Sequence, residues 1–213
     1  MSIMNRIEHR EEKWIFPFVE YSCDDVDKKL TLIIQLHGAG ERGDGKAELD
    51  KVDVHGFSKH LTTAEYECRF IMPQCPPDTF WVARVESILQ FIEQIKAEYN
   101  VDEERVYLTG LSMGGYGTWF TAMARPDLFA AIAPVCGGGM AWNAPALTMP
   151  VWVFHGDEDP VVSVNQSDEM VEALRKVGAD VSYTRLKGVG HNAWERAYQL
   201  ELLEWLLSKK REA

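Results

Sequence analysis

The feature that most constrains this chain is a serine flanked by glycines, at the point where an apolar run ends and a helical pattern begins. It lies within residues 107–117, where Gly110, Ser112 and Gly114 fill the pattern G-x-S-x-G. At so sharp a turn the neighbouring backbone segments nearly touch, so the residues two before and two after the serine must lack a Cβ. The pattern therefore predicts a strand, a strained turn that exposes the serine hydroxyl, and a helix.

The residues on either side of the turn fit that prediction. Residues 105–109 are rich in strand-forming side chains, and Tyr116, Trp119, Phe120 and Met123 recur afterwards at helical spacing. The alternative interpretation, a glycine-rich turn with an idle serine, explains the glycines but not this strand–turn–helix context.

Length and composition indicate one folded domain that spans residues 1–213. Apolar residues make up 46% of the chain and aromatic residues 11%, which excludes a disordered protein, and no stretch reads as a linker. Strand and helix patterns alternate, so we expect an α/β fold: a mostly parallel sheet with helices on both faces and no large cap domain. The expected strands are 13–21, 30–36, 70–72, 105–109, 129–136, 151–155 and 181–186, and the expected helices include 56–61, 87–96, 164–177 and 194–208. Pro17 favours an edge position for the first strand.

The charge pattern argues against several classes of partner. The formal net charge is −11 without a basic block, so nucleic acid is not expected as a partner. No stretch approaches the roughly 20 apolar residues of a membrane span. The first ten residues lack the apolar core of a secretory signal, and the four cysteines form no C-x-x-C pair. We expect a cytoplasmic protein with reduced thiols; the even cysteine count leaves disulfides open in a secreted form, and nothing predicts an oligomeric state.

A second glycine-rich loop, residues 37–43, follows the apolar run 30–36. It fits an oxyanion hole formed by the backbone N–H groups of Ala39 and Met113, with Gly38 and Gly40 allowing the main chain to approach a substrate oxygen. The loop does not fill the phosphate-binding pattern G-x-x-x-x-G-K-[ST], and an ordinary tight turn remains the alternative. We expect a structural role for the histidine that begins this loop and a local Glu41–Arg42 ion pair.

A serine hydroxyl needs a general base, and two histidines follow Ser112 in the sequence. His155 ends a predicted strand, whereas His191 lies in a glycine-flanked loop after the last strand. We therefore predict His191 as the base. His55 and His60 lack the spacing of a helical zinc pair, so no metal site is expected.

The acid that orients the base is expected in the loop after strand 151–155. Asp157, Glu158 and Asp159 all lie there, at the carboxyl end of a strand, where ligands bind in open α/β sheets. Asp157 directly follows a glycine and is expected to close the turn with its side chain. Asp159 is the favoured acid, and its two neighbours remain alternatives.

Four segments together carry a resemblance to a known family. Residues 37–43, 108–115, 155–162 and 190–194 resemble, in this order, the phospholipase/carboxylesterase branch of the α/β-hydrolases, which includes feruloyl-esterase-like and predicted-peptidase members. The resemblance implies the α/β-hydrolase fold, with the serine on a nucleophile elbow. In that family the second aspartate of H-G-x-x-D is the acid, which favours Asp159, and the residue after the first H-G supplies an oxyanion N–H, which favours Ala39. The chain lacks an evident lid insertion. Met113 stands where thioesterase-like relatives often carry glutamine, which argues against a protein-deacylating role.

The expected function is that of a serine carboxylesterase that hydrolyses short-chain or aryl esters of small molecules through Ser112, His191 and Asp159, without a metal or organic cofactor. Trp81, Trp142 and Trp194 are candidates for contact with an aromatic acyl group, although tryptophans of the core are equally common. A serine peptidase or amidase on the same fold, and a hydrolase-fold binding protein without turnover, are the alternatives.

Overall fold

The structure, a computed structural model, describes residues 4–23, 29–61 and 66–211. Its centre is an eight-stranded sheet in the order β1-β2-β4-β3-β5-β6-β7-β8. The strands are β1 (Asn5–His9), β2 (Phe18–Ser22), β3 (Leu30–Leu36), β4 (Cys68–Pro73), β5 (Val101–Leu111), β6 (Ala131–Val135), β7 (Val151–Gly156) and β8 (Val181–Leu186). β1 and β2 pair antiparallel, as do β2 and β4, and every pair from β4 to β8 is parallel.

Helices cover both faces of the sheet. They are α1 (Ser58–Leu61), α2 (Val85–Glu98), α3 (Met113–Ala124), α4 (Asn165–Lys176), α5 (Trp194–Ala197) and α6 (Leu200–Ser208). Buried side chains of α2, α3 and α4 share one apolar cluster, and those of α1, α5 and α6 share the cluster on the opposite face. Within the described ranges, every helix is too short or too polar to serve as a membrane span. The predicted α/β-hydrolase fold, with a mostly parallel sheet between two helical layers, is confirmed.

The middle of the sheet follows directly from the sequence pattern. All seven residues of β3 are buried, as expected for a nearly continuous apolar run between two helical layers. α2 buries Ile88, Phe91, Ile92 and Ile95 along one face, at helical spacing. β5 lies between β3 and β6, so the loops that leave these three strands meet at one edge of the sheet.

The first strand differs from its prediction. β2 begins at Phe18, and β1 pairs with it on one side while β4 pairs on the other, so the predicted edge position is wrong. Pro17 precedes the strand, and its missing N–H therefore interrupts no ladder bond. β1 was not predicted, because four of its five residues are exposed and apolar periodicity there is weak.

The predicted closing helix 194–208 is two helices, α5 and α6, interrupted at Tyr198 and Gln199. Tyr198 is fully buried, its ring packs edge-on against Phe57 at 4.9 Å, and its hydroxyl lies 3.1 Å from Thr109 Oγ1. Gln199 is extended, with φ −114° and ψ 170°. We attribute the break to Tyr198, because its ring packs against Phe57 and its hydroxyl lies against Thr109 in this conformation.

Candidate active site

The site begins at the turn between β5 and α3. Ser112 has φ 53° and ψ −116°, a positive φ that is uncommon for a residue with a Cβ. Its N–H donates to the Val135 carbonyl at 2.9 Å, and its own carbonyl accepts from the Tyr116 N–H at 3.1 Å, which starts α3. Both backbone groups of the serine are therefore anchored while its backbone is strained.

The glycines around the serine allow this turn. A Cβ on Gly110 would overlap the carbonyl oxygen of Gly114, and a Cβ on Gly114 would overlap the carbonyl oxygen of Leu36. These obstacles are backbone atoms, which cannot rotate away as a side chain can. Crowding by these backbone atoms therefore explains why glycine stands two residues before and two residues after the serine.

Three side chains that lie far apart in the sequence meet above this edge of the sheet. The Ser112 Oγ lies 2.8 Å from His191 Nε2, and His191 Nδ1 lies 2.7 Å from Asp159 Oδ2. The other carboxylate oxygen, Oδ1, accepts the N–H groups of Val161 at 2.8 Å and Val162 at 2.9 Å. The structure therefore joins the predicted serine, histidine and aspartate in one continuous line of hydrogen bonds.

The environment of Asp159 keeps its carboxylate charged. Its side chain is completely buried, and burial by itself favours the neutral acid. The hydrogen bonds from His191 and from the Val161 and Val162 N–H groups outweigh burial, so the pKa of Asp159 is lowered below its usual value of 3.8. The charged carboxylate accepts the Nδ1–H of His191, which leaves the Nε2 lone pair free to accept the Ser112 hydroxyl proton.

The two acidic neighbours of Asp159 do not reach His191. Glu158 is exposed, and Asp157 accepts the N–H of Gly188 at 2.7 Å. Asp157 thus joins its turn to the loop that carries His191, whereas the sequence predicts a contact within the turn itself.

The loop after β3 lies directly against the serine. A Cβ on Gly38 would be 3.8 Å from the Ser112 Cβ, whereas one on Gly40 would meet open space. Ala39 begins a short 3₁₀ turn, Ala39–Glu41, and Met113 begins α3. Since the first N–H groups of a helical turn have no partner within it, Ala39 and Met113 each carry a backbone donor that its own turn does not use.

Buried polar side chains hold this loop from behind. His37 Nε2 accepts the Cys75 N–H at 2.9 Å, and the His37 carbonyl accepts the indole N–H of Trp81 at 3.0 Å. Burial lowers the pKa of His37 to about 4, so the ring is neutral and acts as an acceptor. The buried amide of Gln74 accepts the Gly45 N–H at 2.9 Å and donates to the carbonyls of residues 41 and 48. His37 therefore has the structural role that the sequence predicts, while Gln74 was not predicted.

The predicted pair between Glu41 and Arg42 is wrong. Arg42 donates instead to the carbonyl oxygens of Ala39 at 3.0 Å and Thr79 at 3.3 Å. Its planar guanidinium has several donors and bridges two loops, which a single contact with a neighbouring carboxylate would not do.

The three candidate tryptophans have different environments. Trp81 is fully buried, and its indole N–H donates to the His37 carbonyl. It therefore belongs to the core, and the candidate contact with an acyl group is wrong for this tryptophan. Trp142 is 78% exposed, on the 3₁₀ segment Ala141–Ala146 that follows β6. Trp194 is half-buried, and its ring lies edge-on to His191 at 5.3 Å.

Among the described residues, one group could supply three metal ligands: Cys136, Asp159 and His191, whose ligand atoms lie within 4.8 Å of one another. Burial raises the pKa of Cys136 to about 12, which keeps its thiol protonated at neutral pH. Asp159 and His191 already bind each other. A thiol with its proton is a poor metal ligand, so this group fits a hydrogen-bonded pair beside a buried cysteine better than a metal centre.

The sequence of this chain matches a known protein family. Residues 69–200, more than half of the chain, match the Dienelactone hydrolase family, and this range contains Ser112, Asp159 and His191. A bifunctional acetylxylan esterase/xylanase of Neocallimastix patriciarum is 38% identical over 100 residues, which cover 46% of this chain and 14% of that protein. Poly(3-hydroxyalkanoate) depolymerase C of Paucimonas lemoignei is 29% identical over 156 residues, covering 55% and 37% respectively. The chain therefore matches well under half the length of these two relatives.

Solved structures agree with the sequence comparison. The crystal structure of a thermostable esterase superposes with a TM-score of 0.80 at 32% identity, over 98% of this chain and 63% of that one. The feruloyl esterase module of Clostridium thermocellum superposes with a TM-score of 0.79 over 99% of this chain and 90% of that one, and its 14% identity bears on the fold alone. The predicted superfamily is confirmed, and the chain belongs to the Dienelactone hydrolase family of the α/β-hydrolases.

Proposed function

We propose that this protein is a serine carboxylesterase. The observation that carries the proposal is the line of hydrogen bonds from Ser112 through His191 to Asp159, with the serine on a strained turn at the carboxyl end of the central strands. Membership of a hydrolytic family and similarity to proteins named esterases support the same activity.

In the proposed mechanism, Ser112 Oγ attacks the carbonyl carbon of the ester while His191 Nε2 accepts its proton. The charged Asp159 stabilises the imidazolium that results. The backbone N–H groups of Ala39 and Met113 bind the oxyanion of the tetrahedral intermediate, each supplying about 3 kcal/mol of transition-state stabilisation. His191 then protonates the leaving alcohol, and an acyl group remains on the serine.

Water completes the reaction. His191 takes a proton from a water molecule, which attacks the acyl-enzyme carbonyl, and then returns that proton to Ser112 Oγ as the acid leaves. Every step uses side chains and backbone groups of this chain, and no step requires a metal or an organic cofactor.

We propose short-chain or aryl esters as the substrates. The exposed indole of Trp142 and the half-buried ring of Trp194 beside His191 offer flat apolar surfaces for an aromatic group. Gly38 lies against the serine and Gly40 borders open space, so the loop leaves room for the reacting carbonyl. We further propose that the whole chain forms one domain and is cytoplasmic; one sheet takes strands from both halves, and all four cysteines are buried free thiols.

The first test measures hydrolysis of short p-nitrophenyl esters by the wild type and by Ser112→Ala. Loss of the nucleophile is expected to lower kcat by about 10⁶-fold. Ser163→Ala is the matched control, because Ser163 is an exposed serine in the loop that follows Asp159. Equal rates for the wild type and Ser112→Ala would overturn the proposal.

A second test identifies the nucleophile directly. A fluorophosphonate is added to the wild type, and peptide mass spectrometry locates the adduct. Modification of Ser112 is the expected result, and modification of another residue in its place would refute the assignment.

Matched ester and amide substrates with the same acyl group separate the esterase from the two alternatives. A higher kcat/KM for the ester is expected. Preference for the amide would indicate a peptidase, and ligand binding without an acyl-enzyme burst would indicate a binding protein.

A further inference from the structure

A second histidine contacts the aspartate of the site. His155 lies at the end of β7, and its Nε2 is 3.3 Å from Asp159 Oδ2 and 2.9 Å from the carbonyl oxygen of Val162. Both side chains are completely buried. The other ring nitrogen, Nδ1, is 2.7 Å from the hydroxyl oxygen of Ser167 on α4. The imidazole therefore connects the carboxylate to a helix outside the loops that form the site.

The neighbours of this ring determine where its hydrogen lies. Burial lowers the pKa of His155, so the ring is neutral and carries one N–H. Nε2 faces two acceptors, the Val162 carbonyl and the Asp159 carboxylate, and therefore bears the hydrogen. Nδ1 is then an acceptor. The Ser167 hydroxyl lies 2.7 Å from Nδ1 and 3.2 Å from the carbonyl oxygen of Gly137, and it donates to the nearer of these two acceptors. Ser167 thus helps to fix the orientation of the ring.

The polar contacts of Asp159 divide between its two oxygens. Oδ1 is held by the N–H groups of Val161 and Val162, whereas Oδ2 faces His191 Nδ1 and His155 Nε2. Among the residues that the structure describes, Oδ2 has polar contacts with the side chains of His155 and His191, so without His155 it would be held by the very residue whose position it determines. A carboxylate orients its partner well only if something other than that partner also holds it.

We propose that His155 is a positioning residue that holds Oδ2 of Asp159 in the place from which it orients His191. This inference rests on the proposed function. His155 acts through Asp159, because it contacts neither the serine hydroxyl nor the ring nitrogen that accepts the serine proton. Ser167 supports His155 in turn, so a line of polar contacts begins on α4 and ends at Ser112.

Two substitutions separate positioning from simple structural support, because each keeps half of the imidazole. In His155→Gln the amide nitrogen reaches the place of Nε2 and can still donate to Asp159. In His155→Asn the side chain reaches only the place of Nδ1, where it can still bind Ser167 but not Asp159. Both variants leave a polar amide in the same buried space, so they are matched in polarity and similar in size.

For both variants we would measure kcat, KM and the rate of fluorophosphonate modification of Ser112. We expect kcat of His155→Asn to fall about 10- to 100-fold, which is the effect of losing one polar contact with a charged group, with little change in KM. His155→Gln should stay within about threefold, because it keeps a donor beside Asp159. Equal losses in both variants, or no loss in either, would overturn the proposal.

A spectroscopic measurement on variants that circular dichroism shows to be folded keeps the test independent of the substrate. The His191 Nδ1 proton, hydrogen-bonded to a carboxylate, should give a low-field proton resonance in the wild type. We expect this resonance to persist in His155→Gln and to broaden or disappear in His155→Asn. Its persistence in folded His155→Asn would contradict the proposal.

Ser167→Ala provides a milder variant, for use if His155→Asn does not fold. It leaves Nδ1 of His155 without its donor, and a smaller loss of kcat in the same direction is expected. An unchanged kcat together with an unchanged His191 resonance would count against the proposal.

The wild type separates this proposal from the proposed function. If the wild type shows the resonance but neither hydrolysis nor Ser112 modification, the proposed function fails while the positioning of Asp159 is still tested. If the wild type is active and His155→Gln and His155→Asn have the same kcat, the esterase assignment stands and the positioning role of His155 is refuted.

Discussion

The two sides of the proposed site are built in different ways. On the acid–base side, the functional groups are side chains that contact one another directly: Ser112 contacts His191, and His191 contacts Asp159. On the oxyanion side, the groups that would meet the substrate are backbone N–H groups, and several buried side chains hold that backbone from behind, notably His37 and Gln74.

Because of this difference, we expect substitutions on the acid–base side to lower activity and substitutions on the oxyanion side to lower stability. One substitution on the acid–base side removes a reacting or orienting group and leaves the fold almost untouched. One substitution on the oxyanion side removes one of several supports, so it should affect stability first and activity only in part. The following predictions are ordered by the size of the expected effect.

The largest effect is expected for Asp159→Asn. An amide cannot stabilise the imidazolium and favours the wrong tautomer of His191, so kcat should fall about 10⁴-fold while stability changes little. Asp157→Asn is the control, because it keeps an oxygen that accepts the Gly188 N–H. Steady-state rates with p-nitrophenyl esters measure both, and equal losses would show that the two aspartates share one structural role.

The next effect concerns the pH dependence of stability on the oxyanion side. An unfolded histidine takes a proton near pH 6.5, whereas His37 in the folded protein does so only at about pH 4. Between these values the unfolded state binds more protons, so His37 stabilises the fold fully above pH 6.5 and this contribution is lost as the pH falls to 4. The loss amounts to about 3 kcal/mol.

The variant His37→Gln isolates this contribution, because its amide oxygen can still accept the Cys75 N–H without titrating in this range. Urea unfolding at pH 7, 5.5 and 4 gives the free energy of unfolding of both proteins. The wild type should lose stability more steeply than the variant toward pH 4. Parallel curves would mean that folding does not lower the pKa of His37.

The smallest of these effects is expected for Gln74→Leu. The substitution leaves the Gly45 N–H and two carbonyl groups without their partner, which should lower the free energy of unfolding by about 2 kcal/mol. Because the other supports of the loop remain, kcat should fall much less than in Asp159→Asn. Gln90→Leu is the control, since the Gln90 side chain is exposed and donates to an exposed glutamate on the same helix. A loss of activity as large as that of Asp159→Asn would remove the distinction between the two sides.

Much of the fold could be predicted because its causes are local. The apolar run of β3 and the amphipathic pattern of α2 each depend on residues close together in the sequence, and both elements are present. The strain at Ser112 likewise follows from glycines two residues away on either side. Ser112, Asp159 and His191 follow β5, β7 and β8, and parallel strands deliver such loops to one edge of the sheet.

Other features depended on contacts between distant segments, and local patterns did not indicate them. Pairing with β1 removes the expected edge position of β2, and Trp81 lies in the core because its indole N–H finds the His37 carbonyl. The break between α5 and α6 depends on a tyrosine that packs against residues more than eighty positions away.

The sequence by itself determined the turn that exposes Ser112 and the loops that carry Asp159 and His191, because glycine sterics and strand order act over short distances. Only the tertiary structure decided which carboxylate reaches His191, and only it brought His155 onto the same oxygen. A hydrogen bond requires two atoms to approach within about 3 Å, and no spacing along a chain specifies that separation until the sheet and its helices have packed.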